Sequence, residues 1–231
     1  MALADDIREE VQGIFKNSWV KRDGQKVPDT DDIPLGNNTV VLDGTVLYAD
    51  LAESTNMVNF QKDHFAAEVY KAYLAAVCKI IRDNSGEITA FDGDRVMAVY
   101  IGDYKNTNAA KTALNINWAV QKIVNDELQK QYPDNSFRAQ QAVGIDTGKL
   151  WVAKTGVRGS NDLVWVGRAA NYAAKLCSLR DGAKVSWITE PVFNVMKDSV
   201  KFSSDGQQMW EKRYWEKYSC SVYCSSWWRG L

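Results

Sequence analysis

Three observations predict an α+β fold, an antiparallel-centred sheet with helices on one face. Turn dipeptides lie between apolar runs at Asp43-Gly44, Asp92-Gly93-Asp94 and Thr147-Gly148, the local signature of hairpins. Apolar side chains recur at positions 66, 69, 70, 73, 74, 77, 80 and 81, the 3.6-residue period of a helix with one buried face. The resulting element order, β-α-β-β-α-β, belongs to layered α+β folds rather than to an all-helical bundle or a sandwich.

Residues 5–18 carry Ile7, Val11, Ile14 and Phe15 on one helical face, so they are read as a short amphipathic helix that docks on the body or on a partner. Residues 21–38 hold Gly24, Pro28, Pro34 and Gly36 among Asp and Asn and read as a loop. Val40–Leu42 and Thr45–Leu51 are expected to form a hairpin about Asp43-Gly44, the second strand ending near Asp50. The helix over 65–82 stops at Asn84-Ser85-Gly86, a suitable C-terminal cap. Glu87–Phe91 and Arg95–Ile101 form a second hairpin with an acidic tip. A long helix is expected from about Thr107 to Gln131, stopped by Pro133. A third hairpin, Ala139–Asp146 with Lys149–Ala153, is expected about Thr147-Gly148. Leu163–Val166 reads as a strand, Arg168–Leu179 as a helix, Lys184–Ile188 as a strand and Glu190–Met196 as a short helix. The Trp- and Tyr-rich tail, Trp210–Trp228, is expected to add one or two edge strands whose aromatics cover the sheet. The chain divides accordingly into an N-terminal helix and loop (1–38), a central domain (39–200) and an aromatic extension (201–231).

Composition excludes several classes. Lys and Arg number 28 against 29 Asp and Glu, which lacks the basic excess a broad nucleic-acid surface needs. A stacking platform in the aromatic tail is the remaining nucleic-acid option, and only Lys212, Arg213, Lys217 and Arg229 support it. No apolar run approaches the roughly 18 residues of a membrane span. The start, Met-Ala-Leu-Ala-Asp-Asp, does not read as a secretory signal. The four cysteines, Cys78, Cys177, Cys220 and Cys224, suit free thiols in a reducing cytoplasm. Cys220 and Cys224 can hold zinc only with further soft ligands. His64 is the sole histidine, so a two-histidine metalloprotease site is ruled out. There is no Gly-x-Ser-x-Gly elbow, and His64 reads as a surface or boundary residue.

Two carboxylates carry the candidate chemistry. Asp50 ends an apolar strand and Asp94 follows Gly93 at a hairpin tip. If the two strands are neighbours, their oxygens converge into a site for a hard divalent ion held together with a phosphate. Leu51-Ala52-Glu53-Ser54-Thr55-Asn56 then reads as a turn into a helix whose free N–H groups suit phosphate. Spacing alone also allows Asp50 to be a helix N-cap and Asp94 an ordinary turn residue.

Tyr48-Ala49-Asp50-Leu51-Ala52-Glu53-Ser54-Thr55 resembles the first metal motif of the class III nucleotidyl cyclases. Phe91-Asp92-Gly93-Asp94-Arg95-Val96-Met97-Ala98 resembles their second. Val143-Gly144-Ile145-Asp146-Thr147-Gly148 is similar to their Gly-Ile-x-x-Gly segment, and Val166-Gly167-Arg168-Ala169-Ala170-Asn171-Tyr172-Ala173-Ala174-Lys175-Leu176 to their Asn/Arg helix. The four motifs stand in the family's order across about residues 44–200.

The resemblance implies the class III cyclase fold, with a ferredoxin-like βαββαβ core sheet, helices on one face and the aromatic strand extension. It further implies that Asp50 and Asp94, with the Leu51 carbonyl, hold two Mn²⁺ or Mg²⁺ ions per active site. One ion would activate the 3′-hydroxyl for in-line attack on the α-phosphorus, and the other would stabilise departing pyrophosphate. Asn171 would orient the ribose. Lys175 stands where the family has arginine, keeping the charge and losing the planar fork. The metal site and the Asn/Arg helix come from different subunits in this family, so a head-to-tail homodimer with shared active sites is implied.

The purine-reading positions depart from the family's patterns. They hold Ala90 and Val164, whose side chains neither donate nor accept, and a site without its base-reading partners loses discrimination. Tyr48 and Arg95 stand where many relatives have Phe and Ala. Either side chain can contact ribose or a small base, or serve packing and surface charge. These departures resemble the pyrimidine cyclases of bacterial Pycsar anti-phage systems, stand-alone cytoplasmic enzymes whose cyclic UMP or cyclic CMP switches on a separate effector protein. The resemblance favours UTP over CTP. A γ-phosphate contact is expected in the tail between Lys212 and Lys217. An ATP-using enzyme and an inactive binding module of the same fold are the rivals.

Overall fold

The computed structural model describes residues 2–157 and 159–231. In chain order the elements are α1 (Leu3–Lys16), β1 (Val20–Asp23), β2 (Asn38–Ala52), α2 (Ser54–Phe60), α3 (Asp63–Asp83), β3 (Glu87–Asp92), β4 (Arg95–Tyr100) and α4 (Lys105–Ala119). A π turn, Val120–Val124, joins α4 to α5 (Asn125–Gln131). There follow β5 (Gln140–Val157), β6 (Ser160–Val166), α6 (Arg168–Leu176), β7 (Ser186–Thr189), α7 (Glu190–Val195), α8 (Asp198–Lys201), β8 (Glu211–Trp215) and β9 (Cys220–Ser225). The strands form one sheet in the order β3-β4-β2-β5-β7-β9-β8, with β1 on β2 and β6 on β5.

The spine of the sheet is the antiparallel pair β2–β5, in register from Val40↔Val152 to Ala52↔Gln140. The predicted hairpins at Asp43-Gly44 and Thr147-Gly148 do not form, because the two segments lie opposite each other inside this pair, with Gly44 facing Gly148. A Cβ on Gly44 would meet Leu150 Cδ1 at 3.1 Å and Val99 Cγ1 at 3.3 Å, and Gly148 adopts φ +153°. Glycine in a strand interior often marks a close approach of other groups, as Gly44 does here, without chain reversal. The hairpin at Asp92-Gly93-Asp94 does form, with Gly93 at φ +61°.

The long pair splits into two parts. Residues 45–49 of β2 and 143–145 of β5 are flanked by β4 and β7. The other ends carry β1, parallel to 38–41, and β6, opposite 151–157. β1 corrects the loop expected over 21–38. A four-residue exposed strand has little pattern of its own, and its pairing with β2 defines it. The tail supplies β8 and β9, but only β8 is an edge, since β9 inserts between β7 and β8.

Strand alternation divides the core. Leu47, Ala49, Leu51, Val143 and Ile145 face α3 and α4. Val40, Leu42, Val46, Leu150 and Val152 face the opposite way and pack against Ala169, Ala170 and Ala173 of α6. The α+β class is as expected. The helices do not all share one face, however: α6 occupies the second. Each fully buried Leu or Ile contributes about 1.5–3 kcal/mol. By contrast α1 buries none of its residues, and Ile7, Val11, Ile14 and Phe15 remain exposed.

Candidate active site

α6 sits on the sheet at a glycine. A Cβ on Gly144 would fall 2.1 Å from the Ala173 carbonyl oxygen and 2.3 Å from the Cys177 nitrogen, so the helix backbone rests directly on β5. Cys177 Sγ donates to the Ala142 carbonyl at 3.1 Å, and Ala142 is the register partner of Asp50. The C-terminal end of α6 is thereby brought beside Asp50.

Asp50, near the end of β2, and Asp94, in the turn between β3 and β4, approach each other. β2 and β4 pair up to Ala49↔Val96, and continuing that register sets Asp50 opposite Arg95, next to Asp94. Burial, and then the charge of Asp94, push the Asp50 carboxyl above the ordinary carboxylate range, while Arg95 and Arg180 pull it part of the way back. Asp94 Oδ2 is buried with no hydrogen-bond partner. An orphaned carboxylate oxygen and a second carboxylate raised by its neighbour are both relieved by a cation, so these residues fit a hard divalent ion. Among the described residues no cluster of three or more His, Cys, Asp and Glu exists to cage a metal unaided. The remaining ligands must come from backbone, water or substrate phosphate, as is usual for Mg²⁺. Leu51 lies just past the last β2–β4 pair.

The other predicted residues fall into two groups. Tyr48 and Ala90 both pair with Met97, so the three lie in one row on the α6 side of the sheet. The Arg95 guanidinium lies 5.5 Å from the Tyr48 ring centroid and bonds Asp92 at 2.5 Å. Burial keeps the Tyr48 phenol raised and protonated. Ser54 and Thr55 open α2, behind Glu53 in a left-handed conformation at φ +59°. Asn171 and Lys175 are not gathered with this group. They lie on the outward face of α6, one helical turn apart, while Ala169, Ala170, Ala173 and Leu176 face the sheet. Val164 likewise faces outward from β6, because Leu163 and Trp165 on either side turn inward to the core.

Sequence reasoning missed two groups. Asp146 is fully buried beneath α6, accepts from the Thr189 hydroxyl and lies 3.3 Å from Arg168 Nη2. Arg180 Nη2 stands 3.8 Å from Asp50 Oδ2. A cation just past the α6 C-terminus was the available signal for the second. Lys212 and Lys217, in the tail stretch expected to contact γ-phosphate, respectively bond Glu190 at 2.7 Å and lie over the Tyr218 ring. His64 is exposed near the start of α3, as expected.

Paired aspartates at the meeting of a central strand and a Gly-Asp hairpin, with a helix seated on a glycine beside them, define a class. The fold is that of the class III nucleotidyl cyclases. An adenylyl cyclase from P. aeruginosa superimposes with a TM-score of 0.69 at 20% identity, over 81% of this chain and 95% of that one. A dimeric guanylyl cyclase domain from the aquatic fungus Blastocladiella emersonii gives a TM-score of 0.61 at 14% identity, over 80% of this chain and 97% of the other. No family model matches the chain. Full-length relatives are more specific: a uridylate cyclase of Xanthomonas perforans is 48% identical over 99% of both chains, and one of Burkholderia cepacia is 45% identical over 98% of both. The chain belongs to the uridylate cyclase family and is a nucleotidyl cyclase.

Proposed function

We propose that the protein converts UTP to 3′,5′-cyclic UMP and pyrophosphate, at sites shared between two copies, as a second-messenger synthase of cytoplasmic antiviral defence. The observation that carries this reading is the Asp50–Asp94 pair, set in a chain that is similar along its whole length to uridylate cyclases. Divalent ions bound there, Mn²⁺ or Mg²⁺, supply Lewis-acid activation of the 3′-hydroxyl and charge neutralisation on the phosphates. Asp50 and Asp94 hold them, with Leu51 offering its carbonyl. Ser54 and Thr55 offer the free N–H groups at the start of α2 to phosphate.

Asn171 and Lys175 project away from the sheet that bears Asp50. This placement supports their serving the nucleotide of a second copy, Asn171 orienting its ribose and Lys175 meeting charge on its α-phosphate. Tyr48 and Arg95 flank the aspartates and close the pocket around a small base. Ala90 adds no polar group to the row that Tyr48 begins, which removes one means of reading a purine edge. No helix is long and apolar enough to cross a membrane among the described residues.

The test is to incubate the purified protein with each of the four nucleoside triphosphates and Mn²⁺. Cyclic UMP is expected as the dominant product. Dominant cyclic CMP would make it a cytidylate cyclase, and dominant cyclic AMP would overturn the pyrimidine reading. Absence of pyrophosphate release with all four would reduce the protein to a binding module.

A further inference from the structure

α6 ends at Leu176, and the chain turns through Cys177–Leu179 before reaching Arg180. Helix C-termini leave carbonyls without intrahelical donors. Arg180 Nη1 supplies donors here, to the Cys177 carbonyl at 2.9 Å and the Leu179 carbonyl at 3.0 Å. One end of the guanidinium is thereby anchored to backbone. The other end, Nη2, faces Asp50 Oδ2 at 3.8 Å, too long for a hydrogen bond and close enough for charge attraction.

Two arginines flank Asp50, and among the described residues only one of them is paired with a second carboxylate. Arg95 is bonded to Asp92. Among the described residues Asp50 is the one ion-pair partner of Arg180, whose side chain is 42% exposed. An arginine anchored by one nitrogen, loosely paired through the other and open to solvent is free to change partners by moving only its tip.

We propose that Arg180 is a triphosphate-binding residue, supplied by the same chain as Asp50 and Asp94, that rests against Asp50 until a metal–nucleotide complex displaces it onto the phosphates. The proposal rests on the reading of Asp50 and Asp94 as metal ligands. A divalent ion on Asp50 repels the neighbouring guanidinium, and the triphosphate that arrives with the ion offers it a new anionic partner. A planar fork suits phosphate oxygens better than an ammonium does. Lys175 presents a point charge and the Arg95 guanidinium is held by Asp92, so Arg180 adds a fork free to take phosphate. The two cations approach from different copies, Lys175 from one and Arg180 from the one that holds the aspartates.

The experiment compares the full-length wild type with Arg180→Gln and Arg180→Lys, measuring binding by calorimetry and by Mn²⁺ electron paramagnetic resonance. The probes are Mn²⁺ alone, Mn²⁺ with a non-cleavable α,β-imido UTP, and Mn²⁺ with inorganic tripolyphosphate. In Arg180→Gln, Mn²⁺ alone binds more tightly, by roughly three- to tenfold, because a competing cation has gone. The imido nucleotide and tripolyphosphate both bind about tenfold or more weakly, because a charge-assisted contact is lost. Arg180→Lys falls between the two. A residue that only capped α6 would lower the melting temperature and leave Mn²⁺ affinity unimproved. Unchanged affinity for the phosphate probes in Arg180→Gln, with the wild type binding normally, overturns the Arg180 assignment alone. A wild type that binds neither Mn²⁺ nor the nucleotide overturns the reading of Asp50 and Asp94, and the Arg180 proposal with it.

Discussion

Gly144 and Ala173 meet through backbone alone: a β-carbon on Gly144 would stand 2.1 Å from the Ala173 carbonyl oxygen. The contact sets the height of α6 above the sheet, and so the positions of Asn171, Lys175 and Arg180. Gly144→Ala must push the helix backbone outward, because no side-chain rotation relieves a clash with a carbonyl and the Cys177 nitrogen together. The expected cost is about 3 kcal/mol or more, the upper end for overpacking, with loss of cyclase activity in whatever protein still folds. Thermal melting checks this, and a variant that melts with the wild type would refute the close-approach role.

Local signal and tertiary context explain what could be read from sequence. The α3 period was legible because one face of a long helix is buried and the other is not. Asp92-Gly93-Asp94 was legible because its hairpin is closed locally. Asp43-Gly44 and Thr147-Gly148 bear the same kind of signal, but the two segments pair with each other across about a hundred residues of sequence; Gly44 is required by the side chains of Leu150 and Val99, and Gly148 by its own positive φ. Asp50, Leu51 and Asp94 could be picked out as motif residues, and their proximity follows from the β2–β4 register. Asp146 and Arg180 lay outside what local pattern could show. What distinguishes them is a neighbour, Thr189 for the one and Asp50 for the other.

Asp50 is predicted to cost the fold stability at neutral pH. Its carboxyl is raised above its unfolded value by burial and by Asp94, so the ionised form is disfavoured in the native state. That penalty is fully present above the raised folded value and fades as pH falls through it toward the ordinary value of 3.8. Asp50→Asn therefore melts higher than wild type at pH 7, by about 2–4 °C for each kcal/mol regained. The difference shrinks in acid, and activity is lost at every pH. Melting curves of both proteins from neutral to acidic pH test the sign, and a lower melting temperature for Asp50→Asn at pH 7 would contradict it.

The C-terminal segment is held down by buried asparagines of α4. Asn117 Nδ2 donates to the Ser226 and Trp227 carbonyls at 3.0 and 2.9 Å, and its Oδ1 accepts from Gln121 and Gln141. Asn115 Nδ2 donates in the same way to the Arg229 and Gly230 carbonyls. Asn117→Leu keeps the volume and strands these partners, at a cost of about 2–4 kcal/mol. The expected readouts are a melting temperature lower by roughly 5–15 °C and faster amide exchange at Trp227. A change of less than a degree would show that the segment is held by its tryptophans instead.

The outward face of α6 underlies the proposal that a second copy supplies half of the site. Asn171 and Lys175 point away from the sheet face that carries Asp50, because Ala169, Ala170 and Ala173 take the inward positions. Under the proposed function, one chain's aspartates are completed by the Asn/Lys pair of a second copy, and two copies placed head to tail complete two sites. Asp50→Ala and Lys175→Ala are then each inactive by themselves, for different reasons, and each retains the half the other lacks. In an equimolar mixture allowed to exchange subunits, half the dimers are mixed and each holds one intact site, so about a quarter of wild-type activity returns. Subunit exchange is followed independently with two affinity tags. Mixed dimers that form and stay inactive would place Lys175 and Asp50 in one chain's site after all.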